Sequence, residues 1–204
     1  MSDSKKFIIN PTNEFHVLRH FKFVDDLYKQ TLLNKLYWYY DYNQKQFVSS
    51  KITKTDIENA LQTIGTKFDK NIPGIENPKE LLEVIKDEFK NLILTNKINW
   101  VDNLEYKTFT FSFNYKLPVG QINCLPINRI TEQDRIRIKP ALRSNCLGED
   151  GVKVNTISRI ELQLTNAICV EIIETKQLGF YTITAYPDCL VSPDLLLDEL
   201  VFVV

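Results

Sequence analysis

The stretch Glu105-Tyr-Lys-Thr-Phe-Thr-Phe-Ser-Phe-Asn-Tyr-Lys116 alternates aromatic with polar residues. Successive side chains of a β-strand point to opposite faces, so this period of two places the aromatic rings on one face. The stretch therefore predicts a strand with one buried face. Strand-like segments follow at Ser158 to Thr165, Ala167 to Glu174 and Gly179 to Tyr186, and hairpin-length connections favour an antiparallel sheet.

The residues before this stretch show helical spacing instead. Apolar residues recur three or four positions apart from Phe21 to Asp41, from Thr55 to Phe68 and from Asn77 to Leu92. We expect Thr55 to be the N-cap of the second helix and Pro78 the first residue of the third. Helices first and strands afterwards predict an α+β protein: a helical region at residues 1–99, then a curved antiparallel β-sheet of four to six strands at residues 100–204 that carries the site.

An aromatic run, Leu36-Tyr-Trp-Tyr-Tyr-Asp-Tyr42, falls in the first predicted helix. Rings at this density on an apolar helix pack into a core or an interface, and the alternative is that they stack on nucleic-acid bases.

Composition and motifs exclude several classes of protein. The hydrophobic content of 44% excludes general disorder, and no apolar run approaches the roughly 18 residues that cross a bilayer. The first residues lack a secretory signal, so we expect a cytoplasmic protein without membrane association. The chain contains no dinucleotide-binding, Walker, serine-hydrolase or His-Glu-x-x-His motif, and its cysteines lack zinc-ligand spacing. We therefore expect no cofactor and no metal.

Arginine is concentrated in one part of the chain. Five of the six arginines fall within 31 residues, and they are Arg129, Arg135, Arg137, Arg143 and Arg159. From Lys107 to Arg159 nine basic and four acidic residues give a local balance of +5, in a chain of net charge -1. Such a patch points to a polyanionic ligand, since guanidinium suits bidentate contact with phosphate. Alternatively, these arginines pair with neighbouring acids on a solvated sheet.

Within this window, Arg135-Ile-Arg-Ile-Lys139 places its cations on one face of a predicted strand, about 7 Å apart. That spacing is close to the spacing of successive phosphates, so Arg135 and Arg137 are candidate phosphate-binding residues. The alternative is an exposed edge strand that its charges protect from aggregation.

Other arginines and hydroxyl groups form the candidate catalytic set. Arg143 precedes Ser144, Arg159 follows Ser158, and Thr184 and Tyr186 share one face of the strand that ends at Pro187. Tyrosine and threonine beside arginine can bind and protonate a phosphodiester without a metal. A solvated β-face is the alternative for this threonine and tyrosine.

The aromatic strand, the arginine-rich strand, Ser158-Arg159, Thr165-Asn-Ala-Ile-Cys-Val-Glu-Ile-Ile173 and Phe180-Tyr-Thr-Ile-Thr-Ala-Tyr-Pro187 occur in that order. This order resembles the C-terminal half of metal-independent ribonuclease toxins of the barnase, EndoU, colicin and RelE type, over about residues 109–187. The resemblance implies RNA cleavage through a 2′,3′-cyclic phosphate and a cognate antitoxin or immunity protein as partner. The positions to match are Arg143, Arg159, Thr165, Thr184 and Tyr186.

We therefore expect Arg143, Arg159 and Tyr186 to be catalytic, and Thr165 and Thr184 to bind phosphate. Such enzymes often use a histidine as general acid or base, and residues 100–204 contain none. Tyrosine, glutamate or lysine would take that role, unless His20 folds back onto the sheet.

The two histidines, His16 and His20, lie four residues apart, and a helix would place them on one face. This pair suits a metal or a proton relay in principle, but no third ligand is evident. The alternative is a pair at the surface or in helix packing.

The rival function is a non-enzymatic binding module that docks an acidic protein or a nucleic acid through a basic sheet face. Convergence of Arg143, Arg159, Thr184 and Tyr186 in one concave pocket would favour catalysis, whereas a flat arrangement would favour binding.

Overall fold

The computed structural model describes residues 11–67, 72–102, 104–126, 161–174, 178–187 and 200–202. The helices that it describes are α1 (Glu14–Leu18), α2 (Leu27–Gln30), α3 (Lys54–Lys67) and α4 (Pro78–Leu94). The strands are β1 (Leu36–Asp41), β2 (Gln46–Lys51), β3 (Val101–Asp102), β4 (Lys107–Asn114), β5 (Gly120–Pro126), β6 (Glu161–Thr165), β7 (Ala167–Glu174), β8 (Tyr181–Pro187) and β9 (Leu200–Phe202). A 3-10 turn, Pro11–Asn13, precedes α1.

The described strands form three sheets. Strands β1 and β2 make an antiparallel hairpin. A four-stranded sheet has the order β3-β4-β7-β8, and a three-stranded sheet has the order β6-β5-β9 with antiparallel pairing throughout. Helices and antiparallel sheets thus occur together, and the predicted α+β class is confirmed.

The strand predictions in the second half of the chain are confirmed where the structure describes them. The aromatic stretch forms β4, in which Phe109 and Phe111 are buried while Thr108 and Thr110 are partly exposed. The three predicted segments that follow correspond to β6, β7 and β8. The predicted strand at residues 135–139 lies outside the described residues.

The second and third predicted helices are α3 and α4, and both predictions are confirmed. Asn77 caps α4, since its side chain accepts hydrogen bonds from the backbone N–H groups of Lys79 and Glu80. The N-cap of α3 is Thr53 and not Thr55. The Thr53 Oγ1 atom accepts from the Asp56 N–H at 3.2 Å, and the Asp56 carboxylate accepts from the Thr53 N–H at 2.8 Å, which is a capping box.

The prediction of one helix from Phe21 to Asp41 is wrong. Only the short α2 is helical there, and Asn34 has a left-handed backbone (φ 64) that ends the helical geometry. The aromatic run forms β1, which a turn with Lys45 at φ 52 connects to β2. Tyrosine and tryptophan favour strands, and pairing with β2 stabilises the extended backbone.

The chain divides into two compact units. Unit 1 comprises Met1–Phe111 and Val170–Tyr186, and unit 2 comprises Ser112–Cys169 and Pro187–Val204. Most of β7 and β8 therefore group with the N-terminal residues, which differs from the predicted division into residues 1–99 and 100–204. A change of periodicity along the chain does not show which elements pack together.

Two apolar clusters lie among the described residues of unit 1. The first joins α1 and α3 to the segments that follow α2 and β2, through Phe15, Leu32, Ile52, Ile57 and Ala60. In the second, the Phe89 ring of α4 lies 6.2 Å from Phe111 at an interplanar angle of 13° and 5.3 Å from Tyr181, edge to face. Tyr181 thus points into this core, and the period of two places Thr182, Thr184 and Tyr186 on the opposite face of β8.

Within the described part of the chain, no helix combines the length and the apolar character that a membrane span requires.

Candidate functional site

Unit 1 contains a cavity of about 340 Å³. Its polar lining comprises His16, Arg19, His20, Glu171, Thr182, Thr184 and Tyr186. An aromatic wall, defined as Trp38, Tyr39, Tyr40 and Tyr42, completes most of the lining. The cavity therefore brings together the end of α1, strand β1 with its turn, and strands β7 and β8.

A buried amide connects three of these elements. The Asn13 side chain is fully buried. Its Nδ2 group donates to the Tyr181 carbonyl of β8 at 3.4 Å, and its Oδ1 atom accepts from the Trp38 N–H of β1 at 3.2 Å. Both strands are thus held against the segment that leads into α1.

The floor of the cavity is one face of the β7–β8 pair. The Thr182 hydroxyl donates to the Ile173 carbonyl at 3.4 Å, so these residues lie side by side on adjacent strands. The connection between the strands is too short for a parallel crossover, so they run antiparallel. Counting two residues along each strand then places Glu171 beside Thr184, on the same face as Tyr186.

Arg19 and His20 lie where α1 ends, facing this floor. The Arg19 Nε group donates to the His20 Nε2 atom at 3.1 Å. The His20 ring in turn lies edge-on to the Tyr186 ring, with centroids 6.3 Å apart and an interplanar angle of 76°. A guanidinium, an imidazole and a phenol thus follow one another along one side of the cavity.

His16 lines the same cavity, and its imidazole is neutral near pH 7. Burial, with smaller contributions from the positive charge of Arg19 and from His20, lowers its pKa from 6.5 to about 3. Its ring stacks on Tyr37 at 6.0 Å, and its buried Nδ1 atom has no hydrogen-bond partner among the described residues. Because the ring stays neutral near pH 7, it cannot donate a proton as imidazolium there.

Glu171 is the anionic group of the cavity. Burial raises the pKa of its carboxyl above the ordinary value. Within the part of the chain that the structure describes, its carboxylate forms no ion pair and no hydrogen bond. Tyr42 lies within electrostatic reach of it, since after burial the Glu171 charge is the next cause that raises the pKa of the Tyr42 phenol.

The structure places two of the predicted site residues in the cavity. These are Thr184 and Tyr186. Thr165 belongs to unit 2 and is buried, with its hydroxyl accepting from the Ala167 N–H at 3.1 Å, and it does not line the cavity. The four predicted arginines lie outside the described residues, and they are Arg135, Arg137, Arg143 and Arg159.

The cavity also contains residues that were not among the predicted catalytic or phosphate-binding residues, namely His16, Arg19, His20 and Glu171. His16 and His20 border the cavity, although α1 ends at Leu18, between them. Arg19 is the one arginine outside the arginine-rich window, and its signal is that it stands beside His20. Glu171 interrupts the otherwise apolar run of β7, and an acid at a half-buried strand position is a signal for a site.

Groups of three or more histidine, cysteine, aspartate or glutamate residues that could hold a metal ion do not occur among the described residues. The chemistry open to these side chains is hydrogen bonding, proton transfer and stabilisation of negative charge.

No protein-family model matches the chain, and neither the curated proteins nor the solved structures contain a significant match to it.

Proposed function

We propose that this protein is a metal-independent RNA endonuclease of the toxin type, which cleaves RNA through a 2′,3′-cyclic phosphate. The observation that carries the proposal is that Arg19, His20, Thr184 and Tyr186 line one concave cavity. Catalysis requires this kind of convergence, whereas a binding module needs only an extended face.

The four side chains suit the transfer of a phosphoryl group to the neighbouring 2′-oxygen. The His20 imidazole exchanges the Arg19 hydrogen bond at its Nε2 atom for one from the 2′-hydroxyl and takes that proton, and the oxygen attacks phosphorus. As the bond from phosphorus to the 5′-oxygen breaks, the Tyr186 hydroxyl donates a proton to that leaving oxygen. Arg19 stabilises the negative charge on the phosphoryl oxygens, and Thr184 donates a hydrogen bond to one of them.

The hydrogen bond from Arg19 Nε to His20 Nε2 supports these roles. It keeps the imidazole beside the guanidinium and makes Nε2 the unprotonated ring nitrogen, which is the one that can accept a proton. The remaining guanidinium nitrogens form no hydrogen bond with described residues, which leaves them for bidentate contact with phosphate.

Arg143 and Arg159 stay predicted catalytic residues, and Arg135, Arg137 and Thr165 stay predicted phosphate-binding residues. The proposal includes RNA as substrate, a cognate antitoxin or immunity protein as partner, and the cytoplasm as the compartment. An arginine-rich strand that follows the phosphates would add a salt-dependent term to RNA binding, with a log-log slope of roughly -0.7 for each phosphate on single strands.

The test is incubation of the purified protein with total RNA in excess EDTA. We expect cleavage with 2′,3′-cyclic phosphate ends. Tyr186→Phe keeps the ring and removes the hydroxyl, and it should lower the cleavage rate about a hundredfold or more. Tyr106→Phe is the matched control, because Tyr106 packs on Tyr40 at 4.4 Å and does not line the cavity.

Three outcomes contradict the proposal. One is full cleavage by folded Tyr186→Phe and His20→Gln variants. Another is activity that EDTA abolishes and Mg²⁺ or Mn²⁺ restores. The third is salt-dependent RNA binding without cleavage, which supports the binding module.

Loss of the salt slope in the double variant Arg135→Ala, Arg137→Ala would assign that strand to phosphate binding, and an unchanged slope would assign it to edge protection.

A further inference from the structure

The cavity holds two opposite charges that do not pair with each other. Arg19 and Glu171 both line it, and no ion pair joins them within the described residues. Burial is the cause that raises the pKa of Glu171, without a contribution from a nearby cation. Keeping an unpaired carboxylate partly out of water costs stability, so a ligand that offers hydrogen-bond donors to Glu171 would gain by binding.

The aromatic wall lines the same cavity as this carboxylate. Tyr42 is 62% exposed and electrostatically coupled to Glu171. Its ring contacts Tyr40 edge to face at 5.0 Å, and Tyr40 is held by a hydrogen bond of 2.8 Å to Glu105. An exposed ring on a fixed support is a surface on which a planar base can stack.

The ligand chemistry follows from what a carboxylate accepts. Cytosine, adenine and guanine each carry an exocyclic amino group on the edge used for pairing, whereas uracil presents carbonyl oxygens on both sides of its single N–H. An amino group donates to a carboxylate, and a carbonyl oxygen is repelled by it. Phosphate, the other end of a nucleotide, suits Arg19.

We propose that the cavity reads the base of its RNA substrate, with Glu171 accepting a hydrogen bond from the exocyclic amino group of a base stacked on Tyr42, so that uracil is disfavoured. Arg19 holds the adjoining phosphate. The inference rests on the proposed function, since it concerns how the same cavity receives RNA. It assigns Glu171 to specificity and leaves proton transfer to His20 and Tyr186.

The test compares 3′-CMP with 3′-UMP, two pyrimidine nucleotides that differ on the pairing edge of the base. Binding to the full chain is measured by isothermal titration calorimetry at pH 8, well above the ordinary pKa of a carboxyl group. We expect 3′-CMP to bind at least about fivefold more tightly than 3′-UMP. Glu171→Gln should bring the two dissociation constants together, because an amide both donates and accepts hydrogen bonds.

Two further variants separate reading from stacking. Glu174→Gln is the matched control, since it makes the same change on the same strand outside the cavity lining, and it should keep the wild-type ratio. Tyr42→Ala should weaken both nucleotides alike and leave their ratio unchanged, because stacking does not discriminate between pyrimidines by their pairing edge.

Equal binding of the two nucleotides, no binding of either at millimolar concentration, or a ratio that survives Glu171→Gln overturns the inference. RNA cleavage in EDTA without any preference against uridine overturns the inference and leaves the proposed function standing. A preference for 3′-CMP that depends on Glu171, in a protein that cleaves no RNA, supports the base-reading site and overturns the proposed function.

Discussion

Lowering the pH from 7 to 5 should destabilise the folded protein through His16. Its pKa in the folded protein is about 3, against an ordinary value of 6.5, because the ring is buried and lies near Arg19 and His20. The folded state therefore keeps the ring neutral, whereas the unfolded chain protonates it below about pH 6.5. Because folding lowers this pKa, the contribution to stability is fully present above pH 6.5 and is lost as the pH falls toward 3.

The magnitude follows from the separation of the two pKa values. Each pH unit below 6.5 lowers the free energy of unfolding by about 1.4 kcal/mol. The loss is about 2 kcal/mol at pH 5, and its limit near pH 3 is about 5 kcal/mol. A loss of 2 kcal/mol is a large fraction of the roughly 5–15 kcal/mol that stabilises a typical domain.

Urea unfolding at pH 7, 6 and 5 measures this loss for the wild type and for His16→Gln. Glutamine is neutral at every pH, so the variant lacks the titration, and other groups contribute equally to both proteins. Between pH 7 and 5 the wild type should lose about 2 kcal/mol more than the variant. Equal losses, or an NMR titration of the His16 ring with a midpoint near 6.5, would refute the reasoning.

Two further predictions concern stability. Asp26→Asn should cost about 3 kcal/mol in urea unfolding, because Lys29 is fully buried and its ammonium lies 3.2 Å from the Asp26 carboxylate. The Lys29 ammonium also donates to the Phe21 carbonyl at 2.7 Å, and a cost below about 1 kcal/mol would show that this carbonyl suffices as partner. Thr53→Ala should cost about 1 kcal/mol through the capping box of α3, whereas Thr55→Ala should stay within about 0.5 kcal/mol; equal costs would assign the cap to neither residue.

The sequence predicts those helices and strands in which only one face is buried, because the spacing of their apolar residues then matches the period of the element. Strand β4 alternates because one face packs against α4 and the other does not, and α4 begins at a proline after an asparagine cap. Strand β1 was predicted as helix because Leu36-Tyr-Trp-Tyr-Tyr40 is apolar or aromatic at every position, so no alternation of apolar and polar residues is visible. Both faces of that strand are packed, since Tyr37 contacts the apolar cluster around Phe15 and Trp38 and Tyr40 line the cavity.

The candidate site was predictable in part, for a related reason. Thr184 and Tyr186 stand out because their positions alternate along one strand. Their approach to His20 depends on contacts between residues more than 160 positions apart, and no local pattern encodes such a distance. Arg19 was not predicted as a site residue because it is isolated in the sequence. The sequence pattern around a single charged residue does not show whether it lines a cavity.

The hydrogen bonds of Asn13 join parts of the cavity that the ribosome synthesises at very different times. Its amide reaches both Trp38 and Tyr181, so the aromatic wall is synthesised long before the strand that closes the cavity. The ribosome adds 142 residues between these two, which takes roughly 7 to 30 s at about 5–20 residues per second. During that interval the nascent chain carries His16, Arg19 and His20 without the floor of their cavity. A chain that is released before β8 is made therefore lacks the assembled cavity.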